Sequence, residues 1–150
     1  GDGYGDNSAG STPDECPSVA GTSTADRLGC LDTDGDGYSD PDSQWNTEYG
    51  ADAFIDDATQ WSDFDGDGYG DNTSGNDADR CPEIAGTSTL DRLGCVDTDD
   101  DGYSDPDITW TPEQGADAFK QDKSHSQAQR NVFLDYYPAT YSAHKTQSGL

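Results

Sequence analysis

The chain has 150 residues, a formal net charge of −25 and only 29% hydrophobic residues, with 32 acids against 7 bases. A surface this acidic is repelled by phosphate backbones and anionic headgroups, which excludes nucleic acid and membrane surfaces as partners. No apolar run approaches the ~18 residues needed to span a bilayer.

Low hydrophobicity with high charge is ordinarily the composition of a disordered chain. Three Trp, eight Tyr, four Phe and four Cys argue otherwise. Ions, disulfides or neighbouring molecules are therefore expected to replace a large apolar core. The first residues carry no basic and apolar leader, so any secretion signal is expected to have been removed already.

In chain order, the sequence opens on "GDGYGDN", which returns inside "DFDGDGYGDN" at 63–72. Sliding the chain on itself aligns Cys16 with Cys81, Cys30 with Cys95, Trp45 with Trp110 and Phe54 with Phe119, a period of 65 residues. Roughly 60% of aligned positions are identical. The division expected is one repeat over 1–65, a second over 66–130, and an aromatic C-terminal segment over 131–150.

Each repeat runs from an Asp/Gly loop through a cysteine-bounded segment to a second Asp/Gly loop, then to a tryptophan-containing arm ending in "GADAF". Gly, Pro and Asp at this density break helices and strands alike, so turns are the expected conformation. The fold class expected is mostly irregular coil, with few short strands and little or no helix. Only Val132, Phe133, Tyr136, Tyr137 and Tyr141 read as strand material.

The acids are spaced as cation ligands. Take Asp32, Asp34, Asp36, Gly37, Tyr38 and Asp40 as loop positions 1, 3, 5, 6, 7 and 9. Carboxylates at 1, 3 and 5 converge when the backbone curls around an ion, and glycine at 6 permits the turn. The carbonyl at 7 then points inward, and position 9 ligates directly or through water. The same pattern fits Asp63, Asp65, Asp67, Tyr69 and Asp71, and again Asp97, Asp99, Asp101, Tyr103 and Asp105. A partial copy keeps Asp2, Tyr4 and Asp6.

All-oxygen donors select Ca2+ over zinc or copper, which favour His or Cys, and flexible loops select it over Mg2+. At least three ions are expected. The loops are not EF-hands: position 12 is Ser43, Ser74 and Ile108, and position 8 is Ser39, Gly70 and Ser104. Further ligands are sought among Asp42 and Asp107, Asp14 and Asp79, Asp26 and Asp91, or Asp52 and Asp117.

The run "DFDGDGYGDN…DADRCPEIAGTSTLDRLGCVDTDDDGYSDPD" resembles thrombospondin type 3 calcium-binding repeats. The likeness extends over both repeats to about Phe119 and is closest to the prokaryotic variety, found as linkers in outer-membrane proteins and as arrays in secreted surface proteins. The resemblance implies a chain with almost no regular secondary structure wrapped around a string of structural calcium ions. Five extra residues, within "TSGNDA", displace Asp79 from the twelfth position.

Four cysteines allow three pairings. Repeat symmetry favours Cys16–Cys30 and Cys81–Cys95, each closing a loop worth about 3 kcal/mol, with intermolecular bridging as the alternative. Paired cysteines point to an oxidising, extracellular or cell-surface setting. Asn72-Thr73-Ser74 is a glycosylation sequon, and Thr22-Ser23-Thr24 and Thr87-Ser88-Thr89 read as either O-linked sites or turns. The tryptophans read as covers over apolar surface between calcium modules, with a sugar-stacking platform as the alternative.

His125 and His144 are isolated, and no catalytic constellation is present, so no enzyme is expected. The function expected is an extracellular, calcium-stabilised structural repeat protein that self-associates head to tail into a filament or surface layer. The broken loop around Asp2, Ala128 and Arg130 where Asp63 and Asp65 would recur, and the aromatic "VFLDYYPATY" motivate that assembly. The alternative is an adhesion or stalk spacer module of a larger surface protein.

Overall fold

A computed structural model describes residues 1–125. The chain divides into two compact units, Gly1–Ala85 and Gly86–Leu150. This break falls later than the end of the first sequence repeat. The Asp63 loop and the segment after it are tied to residues 57–60, which keeps them in the first unit.

The described residues are coil and turn, as the composition requires. Among the described residues the sole helical element is one 3-10 turn, Thr47–Tyr49, capped by the Asn46 side chain, with Gly50 left-handed at its end. Sheet pairing is limited to two isolated parallel bridges, Gly5 with Pro13 and Gly70 with Ala78. The aromatic segment 131–150, with its expected strand, lies outside the described residues.

The interior is polar. Its buried hydrophobics are small, namely Cys30, Ala51, Ala78, Cys95 and Ala116, while Ser, Gln and Asp side chains supply the rest. Large apolar side chains such as Phe64 and Ile108 stay outside, at 75% and 99% exposure. Burial of oily surface therefore cannot be what fixes this backbone.

In the first unit the Cys16–Cys30 disulfide closes a turn with a Cα–Cα distance of 5.0 Å. Inside it the buried Ser23 hydroxyl donates to the Arg27 carbonyl at 2.5 Å and accepts from Cys30 N at 2.9 Å. Gly21 is obligatory, because a Cβ there would lie 1.8 Å from the Cys30 carbonyl oxygen. Cys81 and Cys95 are likewise disulfide-bonded and no cysteine is free, so the pairing within each repeat holds. In the second unit Ser88 repeats the turn, donating to Arg92 O and accepting from Cys95 N.

A second clamp recurs in each unit. Asp26 accepts from Ser39 N, Ser39 Oγ and Trp45 Nε1, while Arg27 bonds Ser39 Oγ, Asp40 O and Asp42. The Arg27 guanidinium lies 5.5 Å from the Trp45 ring centre. Asp91, Arg92, Ser104, Asp107 and Trp110 reproduce this arrangement. Trp45 and Trp110 are thus parts of local polar clamps.

Candidate metal centres

Each Asp/Gly loop curls because its carboxylates capture the loop's own amides. Asp32 accepts from Gly35 N and Gly37 N; Asp63 accepts from Gly66 N and Gly68 N; Asp97 accepts from Asp101 N and Gly102 N. Glycine at position 6 has φ of +101°, +93° and +97° in the three loops, a region that penalises any Cβ. At position 4 the third loop has Asp100 instead of glycine, at φ +58°, which Asp tolerates better than most residues.

The curl brings together the expected triplets. One carboxylate oxygen from each of Asp32, Asp34 and Asp36 lies within 4.8 Å of the others, and the same holds for Asp63, Asp65 and Asp67 and for Asp97, Asp99 and Asp101. Position 5 uses one oxygen to accept the amide two residues on: Asp36 from Tyr38, Asp67 from Tyr69 and Asp101 from Tyr103. The other oxygens of Asp36 and Asp101 are buried without a partner, as are those of Asp34 and Asp65 and both of Asp99.

A further buried aspartate lies close enough to each triplet to feel its charge. Asp52, Asp79 and Asp117 are each 1% exposed. Each spends one oxygen on an amide two residues on, Phe54, Cys81 and Phe119, at 2.7–2.8 Å. Each leaves its Oδ2 buried without a partner. A common bond aims them: Asp52 N donates to Ser39 O, Asp79 N to Gly70 O and Asp117 N to Ser104 O, all at 2.9 Å. Those carbonyls belong to position 8 of the respective loops.

The surplus of negative charge is felt by these groups. Burial, reinforced by the facing loop carboxylates, pushes Asp52, Asp79 and Asp117 up to about 6. Asp36, Asp65 and Asp101 are raised for the same reason. Buried carboxylate oxygens without donors are costly. A divalent cation at the centre of each set would satisfy them all, and the all-oxygen donors suit a hard ion. Each triplet can hold a metal ion.

The other candidates are employed differently. Asp42 and Asp107 pair with Arg27 and Arg92; Arg27 and nearby amides hold the Asp42 carboxyl below its ordinary value, and the Thr109 hydroxyl, Arg92 and nearby amides do so for Asp107. Asp26 and Asp91 are spent in the tryptophan clamps. Asp40 and Asp105, at position 9, accept from Thr33 and Thr98, whereas Asp71 is held through Ser62 Oγ. In the partial loop Asp2 accepts from Tyr4 N and Gly21 N, and Asp14 N donates to Gly5 O as Asp79 N does to Gly70 O. Asp2, Tyr4 and Asp6 therefore keep the loop register, although Asp2 and Asp6 enter none of the triplets among the described residues.

Asn72 is half-buried, and its Nδ2 donates to Thr59 O at 2.8 Å, so the sequon nitrogen is engaged within the chain. Ser23 and Ser88 are fully buried, while the threonines flanking them are exposed. His125 is exposed and bonded to Asp122.

No family model matches the chain, and no curated protein matches it at a significant level.

Proposed function

We propose that this chain is an extracellular structural protein of the thrombospondin type 3-like kind, whose folded form is held by calcium. The observation that carries the reading is the threefold recurrence of one arrangement, in which a buried aspartate with an unpartnered oxygen lies within electrostatic reach of a triplet of loop carboxylates. Calcium accepts six to eight oxygens in flexible geometry. Loop carboxylates, the late aspartate, the position-7 carbonyl and water supply that number. Disulfide bonding of the cysteines supports an oxidising setting, and no helix among the described residues is long and apolar enough to cross a membrane.

The role is structural and not enzymatic, since carboxylates committed to a cation are held ionised and occupied. In the form we favour, copies associate head to tail through the aromatic segment 131–150 into a filament or surface layer. The alternative is a stalk or spacer within a larger surface protein. Light scattering in calcium buffer separates the two: a polymer that is lost on deleting 131–150 supports assembly, and a monomer supports the spacer.

Each ion that binds only the folded state adds RT ln(1 + [L]/Kd) to stability. Removing calcium with EGTA is expected to abolish protease resistance and change the circular dichroism spectrum. Unchanged proteolysis and spectrum in EGTA would overturn the reading.

A further inference from the structure

The three centres differ at one place that bears on how a cation is held. At position 2 the first and third loops have Thr33 and Thr98, and the second has Phe64. Thr33 engages both oxygens of the position-9 carboxylate, donating its N–H to Asp40 Oδ1 at 3.0 Å and its hydroxyl to Oδ2 at 2.6 Å. Thr98 does the same to Asp105 at 3.2 and 2.7 Å, and Lys120 Nζ lies 3.8 Å from Asp105 Oδ2. Phe64 has no hydroxyl and its side chain is 75% exposed. Asp71 is held differently: its Oδ2 accepts from Ser62 Oγ at 2.5 Å, and its Oδ1, whose counterpart takes the position-2 N–H in the other loops, is buried without a partner.

Resting on the calcium reading above, we infer that position 2 determines whether the position-9 carboxylate ligates the cation directly, and that the Asp63 loop is the high-affinity centre. Five carboxylates would be available to hold the ion there, the Asp63, Asp65 and Asp67 triplet with Asp71 and Asp79, whose Oδ1 and Oδ2 respectively are unpartnered. In the other two loops the threonine holds position 9 back, leaving four carboxylates and more bound water. Affinity in such loops follows ligand charge and rigidity, so the second loop fills first.

The position-6 amides report each centre separately, because Gly37, Gly68 and Gly102 donate to the position-1 carboxylates of their own loops. In a calcium titration of the 15N-labelled chain, the Gly68 resonance is expected to complete its shift at about tenfold lower calcium than the other two. Phe64→Thr, a change at an exposed side chain, is expected to move Gly68 into their range. Asp71→Asn should do the same, while Asp40→Asn should shift the Gly37 midpoint far less. Thr33→Val, which frees Asp40 Oδ2, should tighten the first loop. Gly68 titrating with or after the others, or keeping its lead in Phe64→Thr, overturns the inference while leaving calcium binding intact. If none of the three amides responds to calcium, the underlying reading fails, and the inference with it.

Discussion

The Tyr38 and Trp61 rings stack with centroids 5.3 Å apart and planes within 3°. Tyr38 is position 7 of the first loop, and Trp61 lies two residues before Asp63. The contact is reinforced through the backbone, since Ala53 N donates to Trp61 O at 3.1 Å and follows directly on Asp52. Ser62, the next residue, holds Asp71 through both a backbone and a side-chain bond. An aromatic stack thus connects the groups that shape two candidate centres in one unit. At the matching place the second repeat has Ser126.

Trp61→Ala is expected to lower the stability of the calcium-loaded first unit by roughly 2–4 kcal/mol, from lost burial and lost stacking. It should weaken calcium binding at both the Asp32 and Asp63 loops. Urea melts followed by circular dichroism, with amide titration of Gly37 and Gly68, check this. A change confined to one loop would refute the proposed connection.

Asp52→Asn, Asp79→Asn and Asp117→Asn should act with opposite signs in two buffers. With calcium, each removes a charged ligand and should weaken its own centre at least about tenfold. With EGTA, each removes a desolvated, like-charge-crowded carboxylate. The metal-free fold should then gain on the order of 1–3 kcal/mol at pH 7. Denaturant midpoints in both buffers decide it, and destabilisation in both would contradict the assigned roles.

The metal-free chain should also respond to pH against the usual trend for acidic proteins. Asp52, Asp79 and Asp117 have folded values of about 6 against an ordinary 3.8. The folded state therefore takes up protons first, and stability rises as pH falls from about 6 toward 3.8. Below that window the sign reverses. Asp42, lowered by Arg27 and amide partners, and Asp107, lowered by the Thr109 hydroxyl, Arg92 and amide partners, lose their contribution as they protonate. In calcium the upper window inverts as well, because protons compete with the ion. Thermal melts between pH 7 and 4, with and without EGTA, should cross.

The loops were legible because their ligands are consecutive, alternate with glycine or a small residue, and recur three times. The near absence of regular structure among the described residues followed from composition, and the disulfide pairing from the repeat. Asp52, Asp79 and Asp117 could not be singled out in the sequence from Asp14, Asp26, Asp42, Asp91 and Asp107. What selects Asp52 and Asp79 is one bond to the position-8 carbonyl, made thirteen residues beyond Ser39 but nine beyond Gly70. No fixed spacing reveals such a bond. The five-residue displacement of Asp79 is absorbed in space, since its backbone reaches position 8 in spite of it. Of the tryptophans, read as covers between modules, Trp45 and Trp110 are held by local polar partners, Asp26 and Arg27 for the one and Asp91 and Arg92 for the other, whereas Trp61 stacks on Tyr38 of the preceding loop.

Gln60 shows how the displacement is absorbed and carries the last prediction. Its side chain is 1% exposed. Nε2 donates to Asn72 O and Asn76 O, and Oε1 accepts from Asn72 N, so one amide pins both ends of the inserted segment. Asp57 and Thr59 add bonds to Asn76. The amide packs against backbone that has no side chain, since a Cβ on Gly70 would lie 2.1 Å from Gln60. Gln60→Ala removes three bonds to part-buried backbone, leaving Asn72 N and Asn76 O without this partner while Asn72 O keeps Gly75 N, and opens a void, a combination costing about 2–4 kcal/mol. Asp79 depends on that segment for its approach to Gly70, so calcium affinity at the Asp63 loop should fall with stability. The second repeat has His125 at the matching position, and the Asp97 loop, completed by Asp117, should be untouched. A Gly68 amide response that weakens in Gln60→Ala while that of Gly102 stays fixed is the expected result, and equal loss at both would show that the residue serves only general stability.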